Sequence, residues 1–162
     1  MTNIRSAEIK DLEAIREIYN DAVLNTTATF DTQPRTGEQQ LEWFNKHSVL
    51  YPVIVFELVS EIAGWASLSK WSDRIAYAGT AEFSVYVKKE HRKKGIGRAL
   101  LKHLIDRAVE NKLHTIIARI AEANDTSVRM HKQNGFETIG IMKEAGLKFG
   151  RYIDVTLMQK ML

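Results

Sequence analysis

The segment from Gly79 to Glu122 sets the tightest limit on the fold. It reads as strand, basic loop, helix, strand: "GTAEFSVYVKK", "EHRKKGIG", "RALLKHLIDRAVENK" and "HTIIARIAE". The first strand alternates, with Glu82, Ser84 and Tyr86 on one face and Phe83, Val85 and Val87 on the other. The helix is strongly amphipathic and opens on two glycines, Gly95 and Gly97. A strand feeding a helix through a glycine loop and returning as a buried strand belongs to a layered sheet with helices against it.

The rest of the chain supplies more strands and helices. "IRSA" opens as a short strand, and "KDLEAIREIYNDAV" places Leu12, Ile15, Ile18, Tyr19, Ala22 and Val23 at helical spacing. Thr36 can cap a second helix, "GEQQLEWFNKHS", with Glu38 in its first turn. "PVIVFELVSEIAGWASLSKW" reads as two strands joined near Ser60 and Glu61. After residue 122, "DTSVRMHKQNG" predicts a short helix ending at Gly135, and two closing strands surround a glycine-bearing loop. The order is β, α, α, β, β, β, α, β, α, β, β. It predicts an α/β (α+β) fold with a mixed, mostly antiparallel central sheet and helices on both faces. No linker divides the chain, so residues 1–162 are expected to form one domain.

Composition excludes several chemistries. The 162 residues contain no cysteine, which removes disulfides, thiolate metal sites and cysteine nucleophiles and suits a reducing compartment. The start carries no secretory pattern, and no apolar run reaches the roughly 18 residues of a membrane span. A cytoplasmic protein without a membrane partner is the expectation. His47, His91, His103 and His114 lack metal-ligand spacing, so no metal is expected. The net charge of +3 is mild, and its densest cluster, Lys88 to Lys94, reads by itself as a solvated face or an anion patch.

The glycines narrow that choice. Helix-opening N–H groups are unpaired and carry the positive end of the helix dipole, which suits phosphate. Neither the G-x-x-x-x-G-K-S/T loop nor the dinucleotide fingerprint is present; the latter would need glycine where Leu100 stands. What remains is R-x-x-G-x-G, Arg92 to Gly97.

In its setting this pattern resembles the acyl-CoA signature of the GNAT N-acetyltransferases. "NDTSVRMHKQNGF", from Asn124, is similar to that family's N-x-x-A/S-x-x-L/M-Y/H-x-x-x-G-F segment, without a gap. The similarity narrows to the phosphinothricin and methionine sulfoximine acetyltransferase branch. "NDAVLNTTATFDTQP", the R-x-A-Y run at Arg74 to Tyr77, T-A-E at Thr80 to Glu82, and K-F-G-R-Y-x-D at Lys148 to Asp154 carry it over nearly the whole chain.

The resemblance implies a GNAT fold whose strand bearing Val85, Tyr86 and Val87 splays from its neighbour and pairs with the amides of acetyl-CoA's pantetheine. It implies the pyrophosphate over the N–H groups of Lys93, Lys94, Gly95, Ile96, Gly97 and Arg98, with Arg92, Lys93 and Lys94 toward the 3′-phosphate and Asn124 on pantetheine. Glu82 is the implied general base, and the N–H of Val85 or a neighbour polarises the thioester carbonyl. His131 stands where most relatives carry tyrosine; it either protonates the leaving thiolate or packs without a catalytic role. Arg74 is the implied partner of the acceptor's oxyanion, and Phe30, Trp71 and Tyr77 are implied pocket walls, each with an alternative as a core or interface aromatic. Homodimers are common among such relatives, and "KFGRYID" could line the site or the interface. The implied reaction is N-acetylation of phosphinothricin, methionine sulfoximine or methionine sulfone. Another primary amine is the alternative, and a non-catalytic CoA- or nucleic-acid-binding module is a third reading. Retention of Glu82 and the R-x-A-Y run opposes that third reading, so no nucleic-acid partner is expected.

Overall fold

The chain runs through β1 (Thr2–Ser6), α1 (Leu12–Asn25), α2 (Gly37–Asn45), β2 (Val53–Leu58), β3 (Glu61–Lys70), β4 (Thr80–Val87), α3 (Ile96–Glu110), β5 (Thr115–Ala121), α4 (Asp125–Gln133), β6 (Glu137–Lys148) and β7 (Arg151–Met161). This is a computed structural model, and it describes residues 2–59 and 61–162. The order agrees with the expected one element for element. Of the expected turn, Ser60 lies outside the described residues, and Glu61 opens β3.

Local chemistry explains the helix boundaries. Thr36 caps α2 by accepting from the Gln39 N–H, while the Gln39 side chain accepts from the Thr36 N–H. Gly135 follows α4 at φ +84°, a left-handed stop that a side chain would strain. Gly95 precedes α3 at φ +83° and performs the same service at its start.

All seven strands form one sheet in the order β1-β2-β3-β4-β5-β7-β6. Its two faces bury different sets of side chains. On β2, Val53 and Val55 pack with Leu12, Ile15, Ile18 and Tyr19 of α1; Ile54 and Phe56 pack with Leu100, Leu101 and Leu104 of α3. Period-two alternation therefore yields an unbroken apolar strand, because both faces are covered. Helices do lie on both faces.

Every neighbouring pair is antiparallel except β4–β5. That parallel pairing stops after Thr80↔Thr115, Ala81↔Ile116 and Glu82↔Ile117. Beyond Glu82 the two strands part, although β4 remains paired with β3 up to Val87 and β5 with β7 up to Ala121. A gap therefore opens in the middle of the sheet.

Candidate active site

Backbone parity decides what faces the gap. The Lys88 N–H donates to the Ala63 carbonyl at 2.9 Å and the Trp71 N–H to the Thr80 carbonyl at 3.4 Å. In an antiparallel ladder these bonds recur at every second residue, so Glu82, Ser84 and Tyr86 turn their backbone groups to β3. Phe83, Val85 and Val87 turn theirs toward the gap. This corrects one expectation: the backbone of Tyr86 is spent on the ladder, and Tyr86 contributes only its side chain. The Val87 carbonyl is also occupied, accepting from Arg92 Nε at 3.1 Å.

A cleft of about 450 Å³ follows the gap. Its walls include Phe83 to Tyr86 of β4, Ala118 to Ala121 of β5, the loop from Thr27 to Asp31, and Asn124, Ser127 and His131 of α4. Glu82 lies at its closed end. Both carboxylate oxygens are taken by Arg119, from Nε at 2.5 Å and from Nη2 at 2.7 Å. Glu82 is mostly buried and Arg119 half-exposed, with its guanidinium carbon 5.8 Å from the centre of the Trp71 ring.

His131 is buried between the rings of Phe83 and Phe136, both edge-on. Its Nδ1 lies 2.8 Å from the Ser127 carbonyl, which can only accept, so Nδ1 carries the proton. Nε2 is buried with no partner among the described residues. Burial pushes the imidazole below its usual range, outweighing the carbonyl that raises it. The resulting neutral ring offers a lone pair at Nε2, where the expected acid would need a proton.

The glycine loop is bare where ligands would approach. The first ladder bond of α3 runs from the Ala99 N–H to the Gly95 carbonyl at 3.0 Å, so the N–H groups of Ile96, Gly97 and Arg98 precede the ladder. A Cβ on Gly95 would meet nothing within 4 Å; on Gly97 it would meet Met130 Sδ at 3.5 Å. Gly97 thus faces Met130 of α4. Lys93 is left-handed at φ +62°. Arg92 differs from expectation: its Nε holds Val87 and its Nη2 lies 3.4 Å from Asp21 of α1, so it clips the loop to the end of β4. Asn124 caps α4 by accepting from the Ser127 N–H at 3.2 Å, and it lines the cleft.

The wall opposite is the loop after α1. Its Thr29 carbonyl accepts from the buried Lys148 ammonium at 2.7 Å. The Phe30 ring lies so close to Gly146 of β6 that any side chain there would overlap it. The Tyr19 hydroxyl bonds Thr29 Oγ1 at 2.8 Å and Asp31 at 2.5 Å. Burial and the Asp31 carboxylate push that phenol up to about 12.

Of the expected acceptor residues, Phe30 lines the cleft. Trp71 lies beside it under Arg119. Arg74 and Tyr77 do not line it; Arg74 precedes and Tyr77 ends the 3-10 turn Ile75–Tyr77 between β3 and β4, which is too short to bury a face, and both are exposed. Sequence reading passed over Arg119 and Asp31 as site residues, and took in Lys148 only as part of "KFGRYID". Arg119 had a legible mark: it is the one charge in the apolar run "TIIARIA".

Comparison with known proteins agrees with this geometry. An acetyltransferase (GNAT) domain matches residues 4–157. The L-methionine sulfoximine/L-methionine sulfone acetyltransferase of Pseudomonas paraeruginosa is 41% identical over 97% of this chain and 92% of its own. The L-amino acid N-acyltransferase MnaT of Escherichia coli is 39% identical over 99% of this chain and 94% of its own. A GNAT superfamily phosphinothricin acetyltransferase from Sinorhizobium meliloti, solved in complex with acetyl-CoA, superposes with a TM-score of 0.94 at 36% identity, covering 99% of this chain and 88% of the other. The splayed β4–β5 pair, the bare start of α3 and the matched span of residues together mean that this chain belongs to the GNAT acetyltransferase family.

Proposed function

We propose that this acetyltransferase uses acetyl-CoA to acetylate the amino group of a small amino acid analogue: methionine sulfoximine, methionine sulfone or phosphinothricin. The observation that carries the reading is Glu82, a carboxylate at the closed end of a cleft edged by free strand amides, in a chain 41% identical to a methionine sulfoximine/sulfone acetyltransferase.

Acetyl-CoA supplies an activated acetyl thioester. The chain's own groups fit such a molecule. The Phe83 carbonyl, the free backbone of Val85 and the Val87 N–H match an extended amide chain. The N–H groups of Ile96 to Arg98 suit a pyrophosphate, with Lys93, Lys94 and Arg98 nearby as cations. The Asn124 amide remains available to pantetheine beyond its capping bond. The Val85 N–H is the donor for the oxygen that gains charge as the amine attacks. Glu82 takes the ammonium proton, directly or through water. His131, as a neutral ring, accepts a hydrogen bond at Nε2 in place of donating one. Phe30 bounds the acceptor, and Trp71 flanks it from the start of the β3–β4 connection, while Arg74 and Tyr77 stand exposed outside the cleft on that same connection.

A homodimer in the cytoplasm, each chain one domain over residues 1–162, completes the reading. Its support is the edge hairpin β6–β7, where Ile139, Ile141, Leu147, Phe149 and Tyr152 are all exposed. Light scattering at micromolar concentration is expected to give twice the 18.5 kDa chain mass; the mass of one chain would overturn it.

The similarity to MnaT favours a second reading, in which ordinary L-amino acids are the acceptors. One assay separates the two. Thiol release from acetyl-CoA is measured against methionine sulfoximine, methionine sulfone, phosphinothricin, common amino acids, polyamines and peptides. Turnover is expected with the first three, with kcat/KM at least about tenfold above common amino acids, a difference of roughly 1.4 kcal/mol. No release with the first three sinks the narrow reading.

A further inference from the structure

The general base proposed above is not free. Both oxygens of Glu82 are held in the planar fork of Arg119, and a carboxylate engaged in this way has its best lone pairs committed. The fork is placed where an acceptor would meet it. Arg119 stands on β5 two residues past the last parallel pair, lines the cleft, and leaves half of its side chain exposed above Trp71. The other guanidinium of the cleft is less accessible. Arg35 is mostly buried, 3.9 Å over the Tyr19 ring and 3.7 Å from Asp31, with its Nη1 left without a partner among the described residues, and Asp31 accepts from Tyr19. Arg119 is the half-exposed guanidinium of this cleft, the one that an incoming oxyanion meets from solvent.

Resting on the acetyltransfer reading, we propose that Arg119 is a specificity-determining residue: it keeps Glu82 idle until an anionic group on the acceptor takes over its guanidinium. The acceptor's carboxylate, or an oxyanion of comparable reach, replaces one Glu82 oxygen in the fork. The freed oxygen turns to the ammonium on the same molecule and takes one proton. The amine lone pair then forms the C–N bond as the C–S bond breaks, the thiolate leaves with the electron pair, and the second proton shed by the acylated nitrogen passes to that thiolate. An amine without an anion leaves the fork closed and reacts slowly. Selection thus acts through the base and adds to any affinity for the anion.

The test compares methionine sulfone with its carboxamide, which keeps the amine and loses the charge. Wild type is expected to prefer the acid by about 100-fold in kcat/KM, the scale of a charged bidentate hydrogen bond. Arg119→Gln is expected to lose about 10- to 100-fold on the acid, mostly in KM, and to gain severalfold on the carboxamide, because Glu82 is released. Arg119→Lys, which keeps a point charge without the fork, should retain part of the acid affinity and still gain on the carboxamide. A purely structural ion pair predicts loss on both substrates in both variants, and that outcome overturns the proposal. Equal use of acid and carboxamide by wild type also overturns it and leaves the acetyltransfer reading intact. Tryptophan fluorescence gives a readout without turnover, since Trp71 lies beside Arg119. If methionine sulfone releases no thiol but changes that fluorescence in wild type and not in Arg119→Gln, the substrate reading fails and the Arg119 assignment stands. No fluorescence response and no acid preference with any amino acid overturns both.

Discussion

Replacing Glu82 by glutamine will lower kcat/KM for acetyl transfer at neutral pH by about 100- to 10,000-fold, the range that a positioned proton acceptor contributes. Glutamine keeps the size of the side chain and one acceptor oxygen, so Arg119 can still donate to it and the closed end of the cleft can keep its shape. What disappears is the capacity to take a proton from the ammonium. The defect should therefore shrink as the pH rises toward the amine's own pKa, where the acceptor arrives deprotonated without help. Steady-state thiol release from pH 6.5 to 10 reads both effects. An unchanged rate at pH 7 would remove Glu82 as the base. A loss that stays constant up to pH 10 would show a positional defect in place of a lost proton acceptor.

Leu100→Ala will destabilise the fold by about 2–5 kcal/mol, while Val109→Ala on the same helix will cost less than about 0.5 kcal/mol. Leu100 is wholly buried in the cluster between α3 and the sheet, one turn from the glycine loop, and Val109 is exposed. Removing three buried carbons forfeits their transfer energy and leaves a space that the surrounding Leu101, Leu104 and Phe83 can close only in part. Urea unfolding should show a lower midpoint with an unchanged slope for Leu100→Ala. Equal midpoints in the two variants would mean that α3 is not held by this face. The helix matters to the site because its first turn is the proposed phosphate cradle.

Much of this was legible in advance. The alternation from Thr80 to Val87 announced β4 and the faces of Glu82 and Phe83 correctly, since side-chain polarity records burial directly. Gly135 marked the end of α4 because left-handed stops have a narrow residue requirement, whereas Asn124, read as a pantetheine contact, also caps the start of the helix. Backbone parity was not legible. Whether Val85 or Tyr86 turns its N–H to the gap depends on the register with β3, which no side chain of β4 encodes. Long side chains were the other difficulty. Arg92 looked like a phosphate ligand and instead reaches back to Val87 and Asp21. Arg119, passed over in the sequence, meets Glu82 across the point where the strands part. Arg74 was placed by motif, but its direction is set by a 3-10 turn that turns it outward.

The gap beyond Glu82 has a consequence for what the protein avoids. Unpaired strand backbone ordinarily sits on a sheet's rim, where a neighbouring molecule can add a strand and seed aggregation. Here the rims are β1 and β6, and the vacant hydrogen-bonding edge lies between β4 and β5 in the interior. Three parallel pairs close it at one end, and the flanking strands stay anchored to β3 and β7 on their far sides. A second polypeptide meets obstruction in such a seam, because its side chains would need room on two faces that α4 and the loop after α1 already line. A slender, unbranched chain carrying amides can. The sheet thereby stays sticky toward one shape of small molecule and closed to its own kind.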